Sequence, residues 1–223
     1  MIITYLKGMI FIMIDSEKLL NDIISKLNII DEADIPAIDL YMDQVTTFMD
    51  KHLKNNKRFD DDKILTKTMI NNYAKNDLLP APVKKRYSKQ HVILLIFIYY
   101  FKNILSINDI KTILGPISEN YFDVNSPISL EEIYSTVKNL ENQLSSDIKN
   151  DIQSKINLSE ETFADKSDKD KDFLQLFSLI VSLSFDVYIK KQMIESIVDK
   201  LNAANEHTST KPKKDKDKDK KEI

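Results

Sequence analysis

The chain has 223 residues, 42% hydrophobic and 30% charged, with a net charge of −3, no cysteine and two glycines, Gly8 and Gly115. That length and apolar content suit one domain with a real core, or two small ones, in a folded intracellular protein. Without cysteine there are no disulfides, thiolate metal sites or thiol catalysis, and two glycines leave no phosphate-cradling loop and little room for primed hairpin turns.

The first fourteen residues, MIITYLKGMIFIMI, are apolar with one lysine. They lack the basic start and small-residue cleavage site of a signal peptide and are too short to span a bilayer. Met9 or Met13 is the expected true start. Asp15 or Ser16 then caps a helix carrying Leu19, Leu20, Ile23, Ile24 and Leu27. Pro36 breaks that pattern, and Asp39 is expected to cap a second helix to about Leu53, with Tyr41, Val45, Phe48, Met49 and His52 or Leu53 on its inner face. KNNKRFDDD, 54–62, reads as a loop. A third helix, from Thr66 to about Asn76, turns Met69, Ile70 and Tyr73 inward and ends at Leu78-Leu79-Pro80.

VKKRYSKQ reads as a short extended connector. His91 to Leu105 reads as a helix whose unbroken apolar run from Val92 to Phe101 makes it the central buried one. Ser106 with Asp109 starts the next helix, expected to stop before Gly115-Pro116. Ser129 with Glu132 opens a long one carrying Ile133, Val137, Leu140, Leu144, Ile148 and Ile152. Residues 157–172 read as a polar linker, and 173–202 as a last helix whose stretch from Phe173 to Ile189 looks like core. The Lys/Asp-alternating tail, 203–223, is expected to be disordered. The domain reading is therefore a leader at 1–14, a helical domain at 15–156, then linker, helix and tail.

The chemistry of catalysis is sparse. His52, His91 and His207 have no ligand-spaced partners, and His52 and His91 read as surface or boundary residues. Asp60-Asp61-Asp62 lacks the alternation and turning glycine of a calcium loop. No strand-turn-helix elbow surrounds a serine. No enzyme, cofactor or metal is expected.

Function gathers in the middle of the chain. Residues 41–115 hold thirteen Lys/Arg against seven Asp/Glu, between acidic flanks. With Met69, Ile70 and Tyr73 turned inward, Thr68, Asn71, Asn72 and Lys75 fall on the opposite side of the third helix. Amides, a hydroxyl and one cation are side chains that read base edges and grip phosphate from a helix in the major groove. Lys84, Lys85, Arg86 and Lys89, with Tyr87 among them, then supply a backbone-gripping loop.

INNYAKNDLLPAP, KKRYSKQHVILLIFI and LSINDIKTIL together resemble the DNA-binding domain of MerR-type transcription regulators. The matching positions are Ile70, Tyr73, Leu78, Leu79, Pro80, Tyr87, Ser88, Ile96, Ile98, Ile110 and Leu114. From about 35 to 140 the chain is also similar to a bacterial family known as domain of unknown function 1836. It departs from the MerR pattern at Asn71, Ala74 and Asp77, which replace an arginine, a glutamate and a glycine. Its wing between Pro82 and Tyr87 is shorter, and a long loop, Lys54 to Lys63, replaces the turn. With only Arg58 and Arg86, bidentate guanine reading is scarce, which favours A·T-rich sites or shape readout.

The expectation is an all-α fold: a winged-helix-like, MerR-like helix-turn-helix domain with long C-terminal helices. The resemblance implies a cytoplasmic transcription regulator that binds double-stranded DNA as a homodimer, touches no membrane, and answers to an unspecified effector. The expected DNA-binding set is Lys67, Thr68, Asn71, Asn72, Tyr73 and Lys75 on the helix, with Lys84, Lys85, Arg86, Tyr87 and Lys89 after it. The stripe Ile133, Val137, Leu140, Leu144 is the better-patterned candidate for pairing subunits. The alternative is a helical protein-interaction module that keeps the shape without DNA.

Overall fold

A computed structural model describes residues 14–26 and 29–209, apart from the side chains of 26, 169 and 206–209, and the backbone alone of 3–6 and 9–12. The described chain is mostly helical. Strands β1 (Ile3–Leu6) and β2 (Met9–Ile12) pair antiparallel, so the apolar leader holds a hairpin that no alternation in its sequence announces. Its start site, residue Leu27 and the tail from 210 onward lie outside the described residues.

Helix α1 (Ser16–Lys26) is capped by Asp15, whose carboxylate accepts the Lys18 N–H at 2.9 Å. A 3₁₀ turn at Glu32–Asp34 leads to β3 (Leu40–Tyr41) and α2 (Met42–Leu53). Tyr41, not Asp39, precedes the helix; Gln44 reaches back to its N–H at 2.8 Å. Tyr41 is therefore half exposed instead of lying on the inner face, which consists of Val45, Phe48, Met49 and Leu53.

The loop after α2 is ordered by Asp62, whose carboxylate accepts the N–H groups of Arg58 and Phe59 at 3.1 and 3.0 Å. Buried Ile64 and Leu65 anchor its far end, and the Lys102 ammonium donates to the Ile64 carbonyl at 2.5 Å. Helix α3 (Lys67–Lys75) follows, capped by Thr66, which accepts the Met69 N–H at 3.1 Å. It closes in a Schellman motif in which the Leu78 N–H donates to the Tyr73 carbonyl at 2.9 Å, with both side chains buried.

Strand β4 (Arg86–Tyr87) pairs with β3, and α4 (Lys89–Phe101) starts directly after it. Val92 through Ile96 and Ile98 are each at most 1% exposed, so this helix is enclosed on every side, as its unbroken apolar run predicts. It stops at Phe101, short of Leu105. The shell around it comes from α2, α3, the β3–β4 pair, α5 (Ile107–Tyr121) and the start of α6 (Leu130–Glu161).

Helix α5 runs straight through Gly115-Pro116 instead of stopping before them. Proline's ring clashes with the Cβ of the residue before it in a helix, and Gly115 has no Cβ to meet it. Helix α6 continues to Glu161 and α7 (Asp168–Ser209) begins seven residues later, so most of the expected polar linker is helix, and only the turn between them remains. Hydrophilic helices bordering a hairpin carry the same composition as a linker. Helix α7 packs along α6 through Leu179, Leu183, Ile152 and Ile156, joined by Leu20 and Ile24 of α1. Farther on, buried Val198, Ile194 against the main core, and a 2.6 Å bond from Thr112 to Asn202 hold it to α5.

The stretch from Phe173 to Ile189 is not core. Most of its large side chains are half exposed, and so are Val137, Leu140, Leu144 and Ile148 on α6. By length and composition α7 is apolar enough to cross a membrane, with only 6% of its most apolar 18-residue window buried.

Asp77, after α3, sits at φ 55°, the left-handed region where an L side chain costs roughly 1–2 kcal/mol. Its ion pair with Lys111, at 3.4 Å between exposed groups, offsets little of that. Asp77→Gly is expected to raise stability by about 1 kcal/mol, which for a chain this size is a rise of roughly 2–4 °C in the thermal midpoint by calorimetry.

Candidate nucleic-acid interface

Helix α3 buries Ile70 and Tyr73 and half-buries Met69, which leaves Lys67, Thr68, Asn71, Asn72 and Lys75 facing solvent. The side chains of Thr68, Asn71, Asn72 and Lys75 form no hydrogen bond or ion pair among the described residues. Asn76 does donate to the Asn72 backbone carbonyl at 2.8 Å, but that contact leaves the Asn72 amide free. Four outward polar groups on one short helix thus have their bonding capacity available. Lys67 differs, since its ammonium pairs with Asp43 of α2.

Beside α3 the chain turns at Val83–Arg86. The Arg86 N–H donates to the Val83 carbonyl at 2.9 Å, and Lys84 and Lys85 sit at φ 50° and 63°. Positive φ at both central positions is the signature of a type I′ turn, normally built from Asn and Gly. This corrects two expectations. The segment is a tight hairpin, not an extended connector, and a primed turn forms here without glycine. The conformation holds two neighbouring lysines out from the surface with no ion-pair partner among the described residues. A turn that forces lysine into a disfavoured backbone region, where glycine would fit better, keeps its cations at an energetic cost.

The rest of the expected set divides by burial. Arg86 lies 5.2 Å over the Tyr41 ring, and its guanidinium donates to the Tyr41 hydroxyl at 3.2–3.3 Å, so its direction is fixed by β3. Tyr41 was not among the expected site residues, and its sequence carries no signal for this; only the β3–β4 pairing brings residues 45 apart together. Tyr87 and Tyr73 are buried, their hydroxyl pKa values raised by desolvation, and they support the surface from beneath without presenting a group to a ligand. Lys89 is also withdrawn: its ammonium pairs with Glu32 at 2.8 Å. That contact and a hydrogen bond from Ser135 hold the Glu32 carboxyl below its ordinary range. Among these cations Lys75, Lys84 and Lys85 remain unpaired and Arg86 is aimed.

His91, in the first turn of α4, is buried at 3% exposure, not at the boundary. Its Nδ1 accepts the Ser88 N–H at 3.0 Å, closing the helix cap, and its ring meets Tyr87 and Phe122 edge-on. Nε2 has no hydrogen-bond partner in the described structure. Desolvation lowers its pKa, against weaker opposing effects from the backbone of Ala81 and Pro80 and the charge of Asp39. His52, half-buried and tilted against Phe48, is a boundary residue as expected. No group of three metal-ligating side chains occurs among the described residues.

The arrangement is a small helical domain wrapped round one buried helix, presenting a short polar helix beside a tight lysine-bearing turn. Residues 30–137 match the family model described as Domain of unknown function (DUF1836), in agreement with the resemblance read from the sequence. The matched segment begins at buried Ile30 and ends inside α6, so it takes in α4 and its shell and omits α1 and α7. Neither a curated protein nor a solved structure matches the chain.

His91 is neutral in the folded state, whereas the unfolded chain takes up a proton as pH falls through about 6.5. Stability is therefore present above that value and declines below it, towards the depressed folded-state pKa. The thermal midpoint should fall between pH 7.5 and 5.5, and His91→Gln, which keeps an acceptor for the Ser88 N–H, should flatten that slope.

Proposed function

We propose that this protein is a DNA-binding transcription regulator of MerR-like type, in which α3 enters the major groove and the Lys84-Lys85 turn holds the backbone. The observation that supports this most is the strip Thr68, Asn71, Asn72 and Lys75: exposed, without internal partners, and flanked by cations held outward. Asn amides pair with adenine, Thr contacts a thymine methyl, and unpaired lysines release counterions from phosphate. Tyr73 and Tyr87 act as supports, and Lys67 and Lys89 contribute little while paired to Asp43 and Glu32. Arg86, held against Tyr41, reaches phosphate from a fixed direction. The reading includes a homodimer, because a single short helix covers only half of a two-fold operator.

The rival reading is a helical protein-interaction module. The pairing of Lys67 and Lys89 with carboxylates favours it, since that pairing shrinks the positive footprint. The two separate on affinity for duplex DNA measured against salt by fluorescence anisotropy. A regulator loses about 0.9 decades of affinity per decade of salt for each phosphate neutralised. Lys84→Asn with Lys85→Gly should lower that slope by roughly 2 while raising fold stability by at least about 1 kcal/mol, because the turn relaxes. Asn72→Ala should erode preference among sequences and leave the slope unchanged. Absence of binding at low salt would rule out the regulator.

A further inference from the structure

We infer that the lysine-rich segment following α7, residues 210–223, is a second DNA-binding element, which lies extended along one strand of the phosphate backbone beside α3. The inference rests on the DNA-binding reading above and adds to it a contact outside α3 and the Val83–Arg86 turn.

Two neighbouring residues of α5 tie the last turns of α7 to the end of α3. The Thr112 hydroxyl donates to the Asn202 side chain at 2.6 Å, and the Lys111 ammonium reaches Asp77, two residues past Lys75, at 3.4 Å. Val198 is buried and Ile194 packs on the main core, so this part of α7 is fixed to the domain. From Asn202 the helix runs on to Ser209, about 10 Å, and the fourteen residues after it span up to ~45 Å when extended. That length exceeds the two side-chain contacts that separate Asn202 from the end of α3. The acidic turn where α6 meets α7, with Glu160, Glu161, Asp165 and Asp168, is out of range. It lies at the other end of a 42-residue helix, about 60 Å along the axis.

Between Lys211 and Lys221 the sequence holds seven lysines and three aspartates. Averaged over a coil, the aspartates cancel much of that charge. In an extended chain they do not, because alternate residues fall on opposite sides. Lys214, Lys216, Lys218 and Lys220 then share one edge, and Asp215, Asp217 and Asp219 share the other. Lysines on one edge recur every ~6.7 Å, commensurate with the ~3.4 Å rise per phosphate of one DNA strand. The alternation thus hides the charge from a distant polyanion and presents it to a backbone held alongside. Pro212 favours the extended conformation where the segment begins. Tethering supplies the rest: an arm too weak to bind alone gains the effective concentration that α3 and the Lys84-Lys85 turn provide once they hold a duplex.

The test is the affinity of the full chain for an A·T-rich duplex against salt, by fluorescence anisotropy, with helicity by circular dichroism as the check on folding. Lys214→Gln, Lys216→Gln, Lys218→Gln and Lys220→Gln together should lower the salt slope by roughly 3, at about 0.9 per phosphate, and weaken binding at low salt by at least about tenfold. The exchange Lys216→Asp/Asp217→Lys keeps composition and net charge but cuts the cationic edge to a run of two, and should lower the slope by roughly 2. A quadruple variant with the wild-type slope, or an exchange variant indistinguishable from the wild type, overturns the proposal. Failure of the underlying reading looks different. If Lys84→Asn with Lys85→Gly lowers the slope and the variants after α7 do not, the regulator stands and the arm falls. If the wild type binds no duplex at low salt, both fall.

Discussion

A helix that is apolar on every side has to be enclosed, and α4 imposes that requirement on the whole domain. Nothing in α2, α3 or the β3–β4 pair would hold its place without it, since each is short and carries its apolar residues on one side. Enclosure also needs polar groups at the ends of the helix to be satisfied. Gln90 donates to Glu131 at 2.9 Å, the Ser88 N–H finds His91, and Lys102 at the far end donates to the Ile64 carbonyl. Each of these bonds reaches a different part of the shell or caps the helix itself, so the ends of α4 fix the loop before α3 and the base of α6.

The segment before β3 locks the shell from outside. Tyr134 on α6 donates to the buried Ile30 carbonyl at 2.6 Å, and burial pushes its hydroxyl pKa well up, so it remains a donor. Asp31 pairs with Lys138, and Glu32 takes both Lys89 and Ser135. These contacts decide the electrostatics of the exposed side as well. Glu32 neutralises Lys89, a cation that simple counting assigns to the basic middle, and Asp43 of α2 does the same for Lys67. Beside α3, the cations left unpaired among the described residues are Lys84 and Lys85 at the tip of their turn and Lys75 in the last turn of the helix.

Strain and exposure mark places where sequence and stability disagree. At the Val83–Arg86 turn, two lysines occupy backbone conformations that glycine would adopt more cheaply, and at α7 an apolar face remains in water. Each is a departure from local consistency of the sort associated with surfaces that meet something else. They lie on different parts of the chain, one inside the DUF1836 segment and one beyond it.

The elements whose stabilising pattern is local were legible in the sequence. The enclosed α4, the caps at Ser106 and Ser129, and the inward set Ile70 and Tyr73 follow from periodicity and hydrogen-bonding residues a few positions apart. So do the outward positions of Thr68, Asn71, Asn72 and Lys75. What depended on partners far along the chain was not legible. Arg86 is aimed by a tyrosine 45 residues away, Lys89 is withdrawn by a glutamate 57 residues away, and His91 is buried by rings from β4 and the end of α5. Apolar character from Phe173 to Ile189 was plain, but whether neighbours cover it was not. Periodicity assigns residues to faces, and only tertiary contacts determine which face has something against it.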